Sequence, residues 1–136
     1  MSVDIYEMAF KRHLTIEEVK AGFIQCCGVR RFVSREQYWD LSLDRLPDAI
    51  GIDVSWREVG FQTRVWFLSA RDFYADNLLG IVASCLTSSC KSDVLIGEFD
   101  TSKGDVTDMY RVYCENGDIY RAFEGPNDDI EFSGLI

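Results

Sequence analysis

The sequence predicts an α+β fold, a two-layer sandwich in which two amphipathic helices cover one face of a mixed or mostly antiparallel sheet. Two segments repeat their apolar residues at helical spacing and several others at strand spacing. A third observation is Met109 to Phe123, two alternating runs joined at Asn116-Gly117, the strongest short-range hairpin signal. Elements of both kinds bury their stripes most simply in two layers. With 136 residues, 47% of them apolar and 13% aromatic, the chain fits one folded domain over residues 1–136.

Val3 to Phe10 has the β-branched and aromatic content of a first strand. Thr15-x-x-Glu18 is a capping box that opens a helix, Leu14 can staple onto Val19, and Glu17 and Glu18 complement the dipole. Ile16, Val19, Phe23 and Cys27 form its apolar stripe, and Gly28 is the expected left-handed stop. Arg30, Arg31 and Arg35 follow, favoured near a helix carboxyl end and read as solvated charge. Trp39, Leu41 and Leu43 alternate with polar residues and predict a short extended segment before a turn at Leu46-Pro47-Asp48.

Ala49 to Val59 reads as a strand with Ile50, Ile52, Val54 and Trp56 on one face, broken by Gly60. Thr63 to Ser69 is apolar on both faces through Val65, Trp66, Phe67 and Leu68, as a central strand would be. Leu78, Ile81, Val82, Cys85 and Leu86 mark the second helix, with Asp72 or Asp76 as its cap. Val94 to Phe99 is a further strand, and Thr101 to Asp108 a polar loop. The hairpin comes next, then an acidic tail.

A two-residue type I′ turn would pair Glu115 with Asp118, Cys114 with Ile119, Tyr113 with Tyr120 and Val112 with Arg121. In that register Tyr110, Val112, Cys114, Ile119 and Phe123 face the core. Arg111, Tyr113, Glu115, Asp118, Tyr120 and Glu124 then make a wet outer face.

Charge is unevenly placed. Residues 1–92 hold 12 acidic and 11 basic side chains, net −1, whereas residues 93–136 hold 11 acidic and 3 basic, net −8. An anionic surface of this kind disfavours direct nucleic-acid and membrane contact and attracts a basic protein partner. The longest strongly apolar run, Leu78 to Leu86, is too short to span a bilayer, and the first residues lack the pattern of a secretory signal. Five cysteines without zinc-site spacing, none assigned to a disulfide, suggest a reducing cytoplasm.

Chemistry is scarce. The single histidine, His13, is the gate for any Ser/His or Cys/His scheme, and Cys27, Cys85 and Cys114 fall on apolar stripes. The segment Asp100 to Asp108 lacks the ligand alternation of a calcium loop, and no phosphate-cradling or dinucleotide motif occurs. The expectation is therefore no catalytic residue, no metal and no cofactor. In place of an active site the expectation is a partner-binding surface: Tyr113, Glu115, Asp118, Tyr120 and Glu124, rimmed by Asp105, Asp108, Asp128 and Asp129.

In size, charge and the Tyr/Asp/Glu surface of its last third, the chain resembles bacterial immunity proteins of the contact-dependent-inhibition type. That resemblance implies an inhibitor that binds a cognate basic toxin domain, often a nuclease, and blocks its active site. The same size and acidity are also similar to bacterial secretion chaperones, which act as dimers around an unfolded segment. A third expectation is a small enzyme or ligand-binding module built on His13 and a cysteine. The oligomeric state stays open.

Overall fold

A computed structural model of the chain describes residues 3–100, 104–126 and 129–136. Eight strands form one sheet: β1 (Asp4–Phe10), β2 (Arg31–Ser34), β3 (Ala49–Trp56), β4 (Thr63–Ser69), β5 (Val94–Asp100), β6 (Asp105–Tyr113), β7 (Ile119–Glu124) and β8 (Ile130–Leu135). Their order is β2-β3-β4-β1-β5-β6-β7-β8, antiparallel throughout except for the parallel pair β2 and β3. Helices α1 (Ile16–Cys27) and α3 (Leu78–Cys90) pack on each other and on one face of this sheet, the α+β arrangement expected.

Local chemistry accounts for α1 as anticipated. Thr15 Oγ1 accepts the Glu18 N–H at 3.2 Å while Glu18 Oε1 accepts the Thr15 N–H at 3.1 Å. That second bond, more than any other contact, holds the Glu18 carboxyl below its usual range. Gly28 ends the helix at φ 71°. The stripe is rotated from the expected one: Val19, Gly22 and Phe23 are buried, whereas Ile16 is exposed and Cys27 half-buried. On α3 the buried residues include Leu79, Val82, Ala83 and Leu86, while Ile81 faces solvent. Neither Asp72 nor Asp76 caps α3. Asn77 occupies the cap in a left-handed conformation, and Asp72 instead accepts the Tyr74 N–H at 3.0 Å one turn earlier.

A disulfide joins Cys26 of α1 to Cys85 of α3, 59 residues apart, so two of the five cysteines are not free thiols. Closing a loop of that length stabilises the fold by about 4 kcal/mol in the chain-entropy model.

The extended segment expected around Trp39 to Leu43 is instead a short helix, α2 (Arg35–Trp39), and a turn. Its cause was present in the sequence. Ser34 and Gln37 form a second capping box, with both reciprocal bonds made at 3.0 and 3.1 Å. The helix lies on the sheet face opposite α1 and α3, termed here the reverse face. Tyr38, fully buried, rests there on Gly51; a Cβ on Gly51 would sit 2.8 Å from the Tyr38 Cβ.

The sheet curls toward that reverse face. In a flat sheet β4 and β7, four steps apart, would be about 19 Å from each other. Arg64 on β4 nevertheless contacts Glu124 on β7 at 3.7 Å and Glu7 on β1 at 3.5 Å. β1 and β5 pair only through Met8–Phe10 and Val94–Ile96, and a register shift interrupts β5 between Gly97 and Phe99, which allows the bend. Ala9, Phe61, Leu95, Val112 and Ala122 fill the concavity as a second small core.

The hairpin has a different turn from the one predicted. Gly117 N–H donates to Cys114 O at 3.0 Å, Cys114 N–H donates to Asp118 O at 2.9 Å, and Gly117 has φ 93°. This is a three-residue loop ending in a left-handed glycine, which adds one residue to the two-residue loop expected. The strands therefore pair Val112 with Tyr120 and Tyr113 with Ile119. Tyr113 turns into the main core at 5% exposure, while Tyr120 shares the reverse face with Val112 and Ala122. Phe123, expected in the core, is exposed. Two boundaries also move: β6 begins at Asp105, within the predicted loop, and the tail forms the edge strand β8.

This register separates the two tyrosines energetically. Tyr113→Ala should cost about 3–5 kcal/mol by loss of a buried aromatic. Tyr120→Ala should cost about 1 kcal/mol, the worth of a surface stacking contact. Urea denaturation of both variants checks the pairing, because the type I′ register would make their costs alike.

Candidate partner-binding surface

The predicted surface residues divide into three groups. Tyr113 belongs to the core and is not available to a partner; its hydroxyl occupies the space a side chain on Gly80 of α3 would need. Glu115 and Asp118 stand at the hairpin tip. The Glu115 N–H donates to Asp93 Oδ1 at 3.0 Å, and Asp118 accepts from Asn116 Nδ2 at 3.2 Å, so both backbone and side chains hold the tip in shape. Tyr120 and Glu124 lie on the reverse face of β7, in the same column as Asp118. Tyr120 stacks on Phe132 of β8 with ring centroids 4.9 Å apart and planes inclined by 21°.

Asp129 is exposed at the turn into β8, where its carbonyl accepts the Gly125 N–H at 2.7 Å. Asp128 lies outside the described residues, as do the side chains of Asp105 and Asp108. The structure thus gathers Asp118, Tyr120 and Glu124 on one face.

Sequence reasoning missed what the curl brings beside Glu124. Arg64 bridges Glu124 and Glu7, and its Nε is buried without a hydrogen-bond partner. Burial raises the Glu7 carboxyl above its usual range against the pull of Arg64, and the Tyr110 hydroxyl is raised by burial with Glu124 and Glu7 adding. Next to this cluster stands Trp66, exposed although its strand is central. The alternation of Val65 and Phe67 around it was the available signal, since both neighbours face the helices.

On the helix face, beside the start of α3, Glu98 accepts from Arg111 at 3.2 Å and from Arg121 at 3.3 Å. These groups neutralise one another and leave a surplus of one positive charge.

Comparison with models of known families, with curated proteins and with solved structures returns no match to this chain.

The reactive groups considered from sequence stay apart. His13 packs near the Trp56 ring, centroids 6.1 Å apart, with no thiol in hydrogen-bond contact among the described residues. Burial pushes the Cys27 thiol up to about 11 and raises Cys90 and Cys114 as well, so none of the three carries much thiolate at neutral pH. Among the described residues no three His, Cys, Asp or Glu side chains converge as metal ligands, and no helix is long and apolar enough to cross a membrane.

The raised Glu7 sets a pH dependence. Its proton is held more tightly in the folded state than in the unfolded one. Its contribution to stability therefore falls as pH rises from the ordinary carboxyl value of 4.5 through the higher folded value. Glu7→Gln removes this term. Over that window the stability of the native sequence should decline relative to the variant, a difference read from urea midpoints measured in parallel.

Proposed function

We propose that this protein is an acidic inhibitor of the immunity type, which binds a cognate basic toxin domain and masks its active site. It carries out no reaction of its own in this reading. The observation that supports it most is the reverse-face column of Asp118, Tyr120 and Glu124, with Tyr120 stacked on a half-exposed Phe132. Aromatic anchors beside carboxylates suit a cationic partner, the rings supplying buried area and the charges supplying encounter rate and register. A nuclease fits best as target class, because its active site is already built to accept a chain of negative charges. Glu115 at the tip and Asp129 at the β8 turn widen the acidic rim.

A second reading has one observation of its own. The β8 edge exposes Phe132, Leu135 and Ile136, an apolar margin of the kind a secretion chaperone or adaptor offers to an extended segment. Size-exclusion chromatography with light scattering separates the two readings, since a chaperone of this type is a dimer and a stoichiometric inhibitor forms a one-to-one complex.

The direct test is expression with the basic product of a neighbouring gene. Protection and a salt-sensitive complex are expected, and Tyr120→Ala combined with Asp118→Lys should weaken binding at least tenfold. An unchanged affinity and salt slope in that variant, or no basic partner at all, would overturn the proposal.

The inhibitor reading places the protein in the cytoplasm, where Cys26 and Cys85 would be kept as thiols. Acid quenching of the cells and alkylation after denaturation, followed by mass analysis, should then find five modified cysteines. Three would mean that the disulfide persists and that the compartment is an oxidising one.

A further inference from the structure

The reverse face holds a depression that the hairpin surface does not include. Trp66 sits on β4, between β3 and β1, yet is 41% exposed. Its cross-strand partners in register are Asp53 on β3 and Glu7 on β1. An indole therefore has a carboxylate directly beside it on each flank, at the roughly 5 Å spacing of opposed side chains. An opening of about 190 Å³ lies against it, walled by Ile5 and Leu68, with Arg35 of α2 on the far rim. Asp53 is exposed and makes no ion pair among the described residues, whereas Glu7 and Glu124 share Arg64. The groups around Trp66 are three carboxylates and two guanidiniums, a formal balance of −1.

That combination selects its occupant. The face of an indole attracts a cation, apolar walls accept an alkyl stem, and an unpaired carboxylate accepts N–H donors. A guanidinium meets all three requirements better than an ammonium, because it is planar, stacks on the ring and is more weakly hydrated. We propose that this depression seats one arginine side chain of a basic protein partner, its guanidinium stacked on Trp66 and hydrogen-bonded to Asp53. The inference rests on the inhibitor reading for the partner's basic character.

The probe is an end-blocked tri-arginine peptide, with tri-lysine and tri-citrulline as controls, followed through the indole N–H signals of the three tryptophans. Saturable movement of Trp66 but not of Trp39 or Trp56 is expected, several-fold weaker with tri-lysine and absent with tri-citrulline. Asp53→Asn, isosteric and on the surface, should keep the fold and weaken tri-arginine binding at least tenfold. A stationary Trp66 signal, or equal binding by the Asp53→Asn variant, overturns the assignment. Toxin protection that survives Trp66→Ala with Asp53→Asn would remove the depression and leave the inhibitor standing. Specific arginine binding without any protection would do the reverse.

Discussion

Two helices of 12 and 13 residues share a sheet of eight strands, and they cannot cover it. Packed side by side they shield about 20 Å of width, whereas eight flat strands would span about 34 Å. The excess is handled in three ways. The sheet curls, so that Arg64 on β4 meets Glu124 on β7. The short helix α2 and Phe61, from the loop after β3, cover parts of the reverse face with separate small cores. The remainder stays open on both faces: Trp66 and the Tyr120–Phe132 stack on one, Glu98 with its two arginines on the other. The candidate surfaces are thus consequences of the ratio between helix and sheet.

That ratio explains which features were legible in the sequence. The α1 helix could be read to its terminal residues, because Thr15, Glu18 and Gly28 act within one turn of themselves. The strands β1, β3, β4 and β5 were visible for the same reason, as local alternation or apolar runs. The hairpin turn was seen and its register was not. Asn-Gly serves a two-residue loop and the end of a three-residue loop equally well, and the choice was made by Tyr113 finding space against Gly80 of α3, far away in sequence. The second capping box, Ser34 with Gln37, was present in the sequence and went unread beside the alternation after it. Trp66 was read as core because central strands are usually covered twice. Here the second cover is missing at that position.

Net charge alone describes the acidic third of the chain poorly. Glu98 is held by Arg111 and Arg121, Glu124 is held by Arg64, and Asp93 accepts the Glu115 N–H at the hairpin tip. Glu98 and Asp93 serve the fold, whereas a partner cation reaching the partly exposed Glu124 would share it with Arg64. Glu115, Asp129 and Glu131, with no ion pair among the described residues, remain to act at a distance. They line the tip and outer edge of the β6–β8 end, so attraction and docking need not fall on the same atoms.

The reverse face also has the rigidity that a binding surface needs. Its anchor positions sit on inner strands of the sheet: Trp66 on β4 and Tyr120 on β7 are paired on both sides, and Asp53 on β3 and Glu7 on β1 are each paired to Trp66. Glu7 is held by Arg64, and Tyr120 is stacked on Phe132. Side chains already fixed this way lose little freedom when a partner arrives, so more of each contact is retained as affinity. Loop residues such as Asp129 lack that support and are better suited to steering than to anchoring. The division follows from backbone pairing, and it places the specificity of any complex on the curled sheet.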